Sequence, residues 1–189
     1  AVTDMLLREE QRRVEVDDAY SEGEMPGKRG RGAASKTPFV AAIQTNSEGK
    51  PLYIRLTPVA GFTYEALKQW SAECLSSTAR VVSDGLGCFG AVTHTAAQHE
   101  RHIVGSGKSA VQRAEFRWVN TLLGNLKTAF SGTYHAFNHA KYAQRYLAEF
   151  SYRFNRRFDL AAMVPRLLRA AATTEPLPIG ILRISETGN

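Results

Sequence analysis

Apolar residues recur along this chain at two spacings, and each spacing selects a kind of element. Residues 12–20, RRVEVDDAY, alternate: Val14, Val16 and Tyr20 share one parity, while Arg13, Glu15 and Asp17 share the other. Period two predicts a strand. Two more short strands are expected at residues 39–44 (FVAAIQ) and 52–57 (LYIRLT), and the turn residues Asn46-Ser47-Glu48-Gly49 between them complete an antiparallel meander. Residues 64–75 switch to a helical period, with Leu67, Trp70 and Leu75 facing inward and Thr63 placed to cap the first turn. Residues 79–83, ARVVS, read as a buried strand, 86–97 as a helix and 99–104 as a further short strand. Phe116, Val119, Leu122, Leu123, Leu126 and Phe130 recur at steps of three and four, which predicts a helix over residues 117–135 with one buried stripe. A second long helix over 141–154 carries Tyr142, Tyr146, Leu147, Phe150 and Phe154 on one face. Asp159 is expected to cap a last helix through Ala172, before a proline-rich tail.

Composition adds bounds to this order. The 189 residues suit one domain, and 43% hydrophobic content is enough for a real core. A net charge of +6 favours a polyanionic partner such as nucleic acid. The two cysteines, Cys74 and Cys88, form no CxxC pair, which argues against a zinc ribbon or a disulfide scaffold and for two buried thiols in a reduced cytosol. No apolar run approaches the roughly 20 residues that span a membrane, and no signal peptide opens the chain. The sequence begins at Ala1, and Met5-Leu6-Leu7 runs into the charged REEQRR as the tail of a helix whose earlier part is expected to be missing.

Several polar residues sit where the pattern alone does not explain them. Aspartate is poorly suited to strands, so Asp17-Asp18 near the end of the first strand admits two readings: a carboxylate held rigidly for a metal, or a strand that ends where Asp18 caps a turn. Asp84-Gly85 likewise either ends the fourth strand in a plain turn or holds a carboxylate at its C-terminal edge, where open α/β sheets keep their sites. On the helix over 117–135, Asn120 and Lys127 are seven residues apart and share one side, about 10 Å apart along the axis. Gly124 between them costs about 1 kcal/mol relative to Ala and leaves bare backbone that a phosphate chain could approach. Residues 21–38 form a loop rich in glycine and cations, among them Lys28, Arg29, Arg31 and Lys36, suited to nucleic-acid backbone. Arg153, Arg156 and Arg157, with Arg166 and Arg169, extend a basic surface along the last helices. His99, His102 and His135 read as structural residues.

The element order is three antiparallel strands, helix, strand, helix, strand and then long helices. That is the order of a ribonuclease H-like α/β fold, a mixed sheet followed by a helical C-terminal third. Its chemistry suits the acidic positions, because two divalent cations clamping an in-line phosphoryl displacement need hard oxygen ligands on rigid elements. Adjacent central strands bring Asp17 and Asp84 together, and a helix supplies a third oxygen.

The segments VEVDDAY, VVSDGLGCF, RWVNTLLGNLKTAFSGTYH and YLAEFSYRFNRRFD together resemble the catalytic domain of bacterial insertion-sequence transposases of the DDE superfamily, in the ISXO-like branch with an Asp-Asp-Asn-Lys or Asp-Asp-Glu-Lys signature. The resemblance runs from Arg12 to Ala172. It implies a remnant of a missing front over 1–11, a catalytic domain over 12–172 and a tail over 173–189. It assigns the first aspartate as Asp17 rather than Asp18. Asp17, Asp84 and Asn120 become the ligands of two Mg²⁺ or Mn²⁺ ions, and Lys127 becomes a contact to DNA. The implied activity is hydrolysis at the end of a mobile element, followed by attack of the freed 3′-hydroxyl on target DNA, by a homo-oligomer in the bacterial cytoplasm at the nucleoid. Such transposases are similar in carrying a zinc ribbon and helix-turn-helix in front, and this sequence has neither, so no zinc is expected. An inactive DNA-binding remnant is the alternative, and a ribonuclease H-like nuclease is the third reading.

Overall fold

A computed structural model of the chain describes residues 12–21, 37–96, 98–103, 114–133, 139–176 and 178–180. Its centre is a five-stranded mixed sheet in the order β3-β2-β1-β4-β5. The strands are β1 (Arg13–Ser21), β2 (Thr37–Thr45), β3 (Pro51–Pro58), β4 (Arg80–Ser83) and β5 (Gln98–Arg101). β1, β2 and β3 pair antiparallel in sequence, whereas β4 runs parallel to β1 and β5 parallel to β4. The mixed sheet with its helices is an α/β architecture compatible with a ribonuclease H-like fold. Among the described residues, no helix is long and apolar enough to cross a membrane.

Both faces of the sheet are covered. On one, Val14, Val16, Val40, Ala42 and Val81 meet Leu67, Trp70 and Cys74 of α1 (Tyr64–Cys74), and Phe89, Ala91 and Val92 of a 3-10 helix over Gly87–His94. On the other, Phe39, Ala41, Ile43, Ile54, Leu56 and Val82 meet Phe116, Val119, Leu122 and Leu126 at the head and along the inner face of α2 (Arg117–Thr133), with Leu147 of α3 (His139–Asn155). This double cover explains why FVAAI in β2 is apolar at successive positions: each parity meets its own layer. It also gives the polar parity of β1 an unexpected setting, since Arg13, Glu15 and Asp17 face the layer of α2 rather than solvent.

The edge strand β3 is held by side chains from α3 and just beyond it. The Ile54 N–H donates to Asn155 Oδ1 at 2.8 Å, and Asn155 Nδ2 donates back to the Ile54 carbonyl at 3.0 Å. Arg157 donates from Nη1 to the Leu52 carbonyl at 3.0 Å and from Nη2 to the Pro51 carbonyl at 2.5 Å. Backbone groups on an unpaired edge invite pairing with another chain, and these two residues occupy part of it. At the opposite edge, β5 is tied to β4 by an Arg80–Glu100 ion pair.

Four expectations change. The stretch read as a helix over 86–97 is the 3-10 helix Gly87–His94; Gly87, Gly90, Val92 and Thr93 are weak α-helix formers. The strand expected over 99–104 is the four-residue β5. Asp159 makes no side-chain cap: it precedes a 3-10 turn over Leu160–Ala162, and α4 (Met163–Thr173) begins only after it. Of the two thiols expected to be buried, Cys74 is, but Cys88 is only half-buried. By contrast, Thr63 does cap α1, its Oγ accepting from the Ala66 N–H at 3.3 Å.

Candidate active site

β1 and β4 lie side by side and parallel, and β1 does not end at its aspartates: it runs on through Ser21 while β4 stops at Ser83, opposite Val16. An aspartate follows each of that last pair, Asp17 within β1 and Asp84 just past the end of β4. The carboxylates of Asp17, Asp18 and Asp84 converge, one oxygen from each lying within 4.8 Å of the others, and all three residues are half-buried. Like charges this close repel, so the backbone must hold them against that repulsion.

Local hydrogen bonds orient two of the three. Asp17 Oδ1 accepts from the Asp18 N–H at 2.9 Å, and Asp84 Oδ1 accepts from the Leu86 N–H at 3.0 Å. Gly85 turns the chain between Asp84 and Leu86 with φ of 93°. A Cβ there would meet the His102 carbonyl oxygen and the Ile103 Cα, each at 3.2 Å. Arg101 Nε donates to the Gly85 carbonyl at 2.9 Å, which clamps the turn from β5. The Asp84-Gly85 pair is thus both a turn and the mounting of a carboxylate.

Burial, then the charge of Asp18, pushes the Cys88 thiol above its ordinary value, with Asp84 adding in the same direction. His99 Nε2 lies 2.8 Å from Ser83 Oγ, one residue before Asp84. Burial first, then the neighbouring Arg101 charge, holds this imidazole below its ordinary value, so it is neutral near pH 7. His102 stands edge-on to Phe116, with ring centroids 5.8 Å apart. Both described histidines of this group have packing partners, and His135 lies outside the described residues.

On α2, Asn120 follows Val119 in the first turn and is half-buried, while Lys127 is exposed two turns further on. Gly124 between them is exposed, and nothing lies within 4 Å of a Cβ built on it. The basic residues Lys28, Arg29, Arg31 and Lys36 lie outside the described residues. Arg153 is exposed on α3, paired with Glu149 at 2.5 Å. Arg156 was expected to face outward, yet it is only 7% exposed, its guanidinium 4.0 Å from the centroid of the Tyr152 ring. Arg157 points its Nη1 and Nη2 at carbonyls of β3 and stacks on Phe154 at 4.0 Å. Long cationic side chains often serve packing in this way.

Two residues escape a reading of the sequence. Asp18, set aside in favour of Asp17, joins the cluster beside it; the doubled aspartate was itself the signal. Glu15 looks like a solvent-facing residue of an alternating strand, yet its side chain is fully buried, and Oε2 accepts from the Trp118 and Val119 N–H groups at 3.0 Å each. The signal was on α2: Phe116, at the position before the first helical residue, has no oxygen to cap those amides.

Three carboxylates in one cluster supply hard oxygen donors, the chemistry that divalent Mg²⁺ or Mn²⁺ takes. No curated protein matches the chain. A family model described as the ISXO2-like transposase domain matches residues 9–155, which takes in the sheet, all three aspartates, α2 and α3. With that match over most of its length, the chain belongs to the ISXO2-like transposase domain family of insertion-sequence transposases of the DDE type.

Proposed function

We propose that this chain is the catalytic domain of its transposase, a ribonuclease H-like domain that hydrolyses a DNA phosphodiester and transfers the strand. The observation that carries the reading is the convergence of Asp17 and Asp18, within β1, with Asp84, just past the end of the adjacent parallel strand β4. Asp17 and Asp84 would hold the cations, Asp18 would add a third carboxylate, and Asn120 would offer a neutral oxygen from α2. When bound, such ions activate the attacking oxygen and stabilise charge on the transferred phosphoryl group. The protein's own part is to keep the donors rigid and to hold DNA in line. Lys127, about 10 Å along the helix from Asn120 by helical rise, is the candidate for a phosphate contact, with bare Gly124 leaving room for the strand. Arg153 and the loop cations Lys28, Arg29, Arg31 and Lys36 would extend that contact. Arg156 and Arg157 serve the fold.

The reading is tested by nicking of branched DNA. The parent chain is expected to cut with Mn²⁺ or Mg²⁺ and to stop when a chelator is added. Binding of that DNA without any cut, at every metal concentration, would instead support an inactive DNA-binding remnant.

A further inference from the structure

The buried carboxylate of Glu15 sits two residues before Asp17 on β1, and it does what a helix cap does from a different element. The first amides of a helix lack partners inside it. In α2, the Trp118 and Val119 N–H groups both donate to Glu15 Oε2, at 3.0 Å each. The other oxygen, Oε1, accepts from Arg13 Nη1 at 2.8 Å, and Arg13 Nη2 donates to the Glu115 carbonyl at 2.6 Å. One strand thus grips the head of α2 at three backbone groups, through side chains spaced one period apart. A serine or aspartate cap within the helix would satisfy the same amides without fixing the helix to anything. Here the cap and the anchor are one group.

The path from this anchor to the candidate metal ligands is short on both sides. Asp17 follows Glu15 on the same face of β1, about 7 Å along the strand. Asn120 directly follows Val119, whose N–H Glu15 holds. We infer that Glu15 is a positioning residue: it sets the height of Asn120 over Asp17, and so the distance between the helix-borne donor and the strand-borne carboxylates. The inference rests on the reading of Asn120 as a metal ligand. It also accounts for a carboxyl group in the core, where an apolar residue would pack without desolvation cost: apolar packing buries the inner face of α2, and the Glu15 acceptor adds a directional hold on its first amides.

The test is Mn²⁺ affinity of the DNA-free protein, read from the free-ion electron paramagnetic resonance signal, in a double-mutant cycle. Asn120→Ala is expected to weaken binding. Glu15→Gln keeps the size but loses the ion pair with Arg13, and it is expected to weaken Mn²⁺ by about tenfold or more, within the roughly 10–100-fold range of outer-shell supports of metal sites. The two losses should not add, because a misplaced Asn120 has little left to lose. Glu15→Asp keeps the buried anion and shortens the arm, so it should show the same loss if Glu15→Gln does not fold. A control of similar melting temperature on the far side of the sheet, Leu67→Ala, should leave the affinity as in the parent. Additive losses, or a Glu15 variant that binds Mn²⁺ like the parent while Asn120→Ala does not, would overturn the positioning role alone. An unchanged affinity in Asn120→Ala would remove the helix-borne ligand and this inference with it.

Discussion

Asp84 depends on the residue after it. Gly85 combines a φ of 93° with backbone atoms 3.2 Å from where a Cβ would stand, so Gly85→Ala is strained by conformation and by contact together. The expected outcome is a destabilisation of about 1–3 kcal/mol by denaturant unfolding and a loss of cleavage larger than that stability change accounts for. A fully active Gly85→Ala would mean that the turn does not aim Asp84. The arginines divide along similar lines. Arg157→Met leaves β3 carbonyls without donors and should cost about 1–3 kcal/mol, whereas exposed Lys127→Met should barely move the melting temperature and should weaken DNA binding. At this scale the sequence was legible where a residue was anomalous in its place: an aspartate pair on a strand, Asp-Gly after ARVVS. It was not legible for Glu15, Arg156 or Arg157. A polar residue on an alternating strand or amphipathic helix looks the same whether its face meets water or another layer.

α2 joins the sheet core to the site, so its packing and its chemistry can be separated. Leu122 is 1% exposed in the core beneath the helix; Leu122→Ala should cost about 2–5 kcal/mol while the surviving folded fraction still cuts. β5 offers a pH test. His99 is held below its ordinary 6.5 by burial and by Arg101. The unfolded chain therefore takes up a proton that the folded chain refuses. The His99 contribution to stability is present above that value and is lost as pH falls below it. The melting temperature is expected to drop between about pH 7 and pH 5.5, and His99→Gln, which can keep the bond to Ser83, should flatten that drop. If His99→Gln follows the parent curve, His99 is not the group responsible. β1 and the helices α1 to α3 were legible because each carries a period of two or of three to four, and β2 and β4 as short apolar runs bounded by turn residues. The stretch after Asp84 was not, because glycines and β-branched residues tightened an apparent α-helical period into a 3-10 helix. The start of α4 was misplaced for a different reason: Asp159 matches a cap by type, but the helix begins beyond its reach.

The whole molecule is a basic chain with an acidic notch at one edge of its sheet. A net charge of +6, with cations on α2 and α3, suits contact with phosphates, which position DNA without reading its sequence. DNA binding is therefore expected to fall steeply with salt and to differ little between an element end and scrambled DNA. Tight selective binding of one sequence at physiological salt would contradict this expectation. An outline order of a mixed sheet with covering helices was legible because connection lengths and periods together admit few topologies. The way β1 and β4 bring distant aspartates together followed from that order and not from any single motif. The most direct test of the account is single-turnover cleavage of end-labelled branched DNA at rising Mn²⁺, in the parent and in Asp84→Ala, with binding of the same DNA measured alongside. The parent is expected to cut only when metal is present, and Asp84→Ala to lose cutting almost completely while binding the same DNA much as the parent does. Equal cleavage by Asp84→Ala would contradict the account, and would place the chemistry away from the three aspartates.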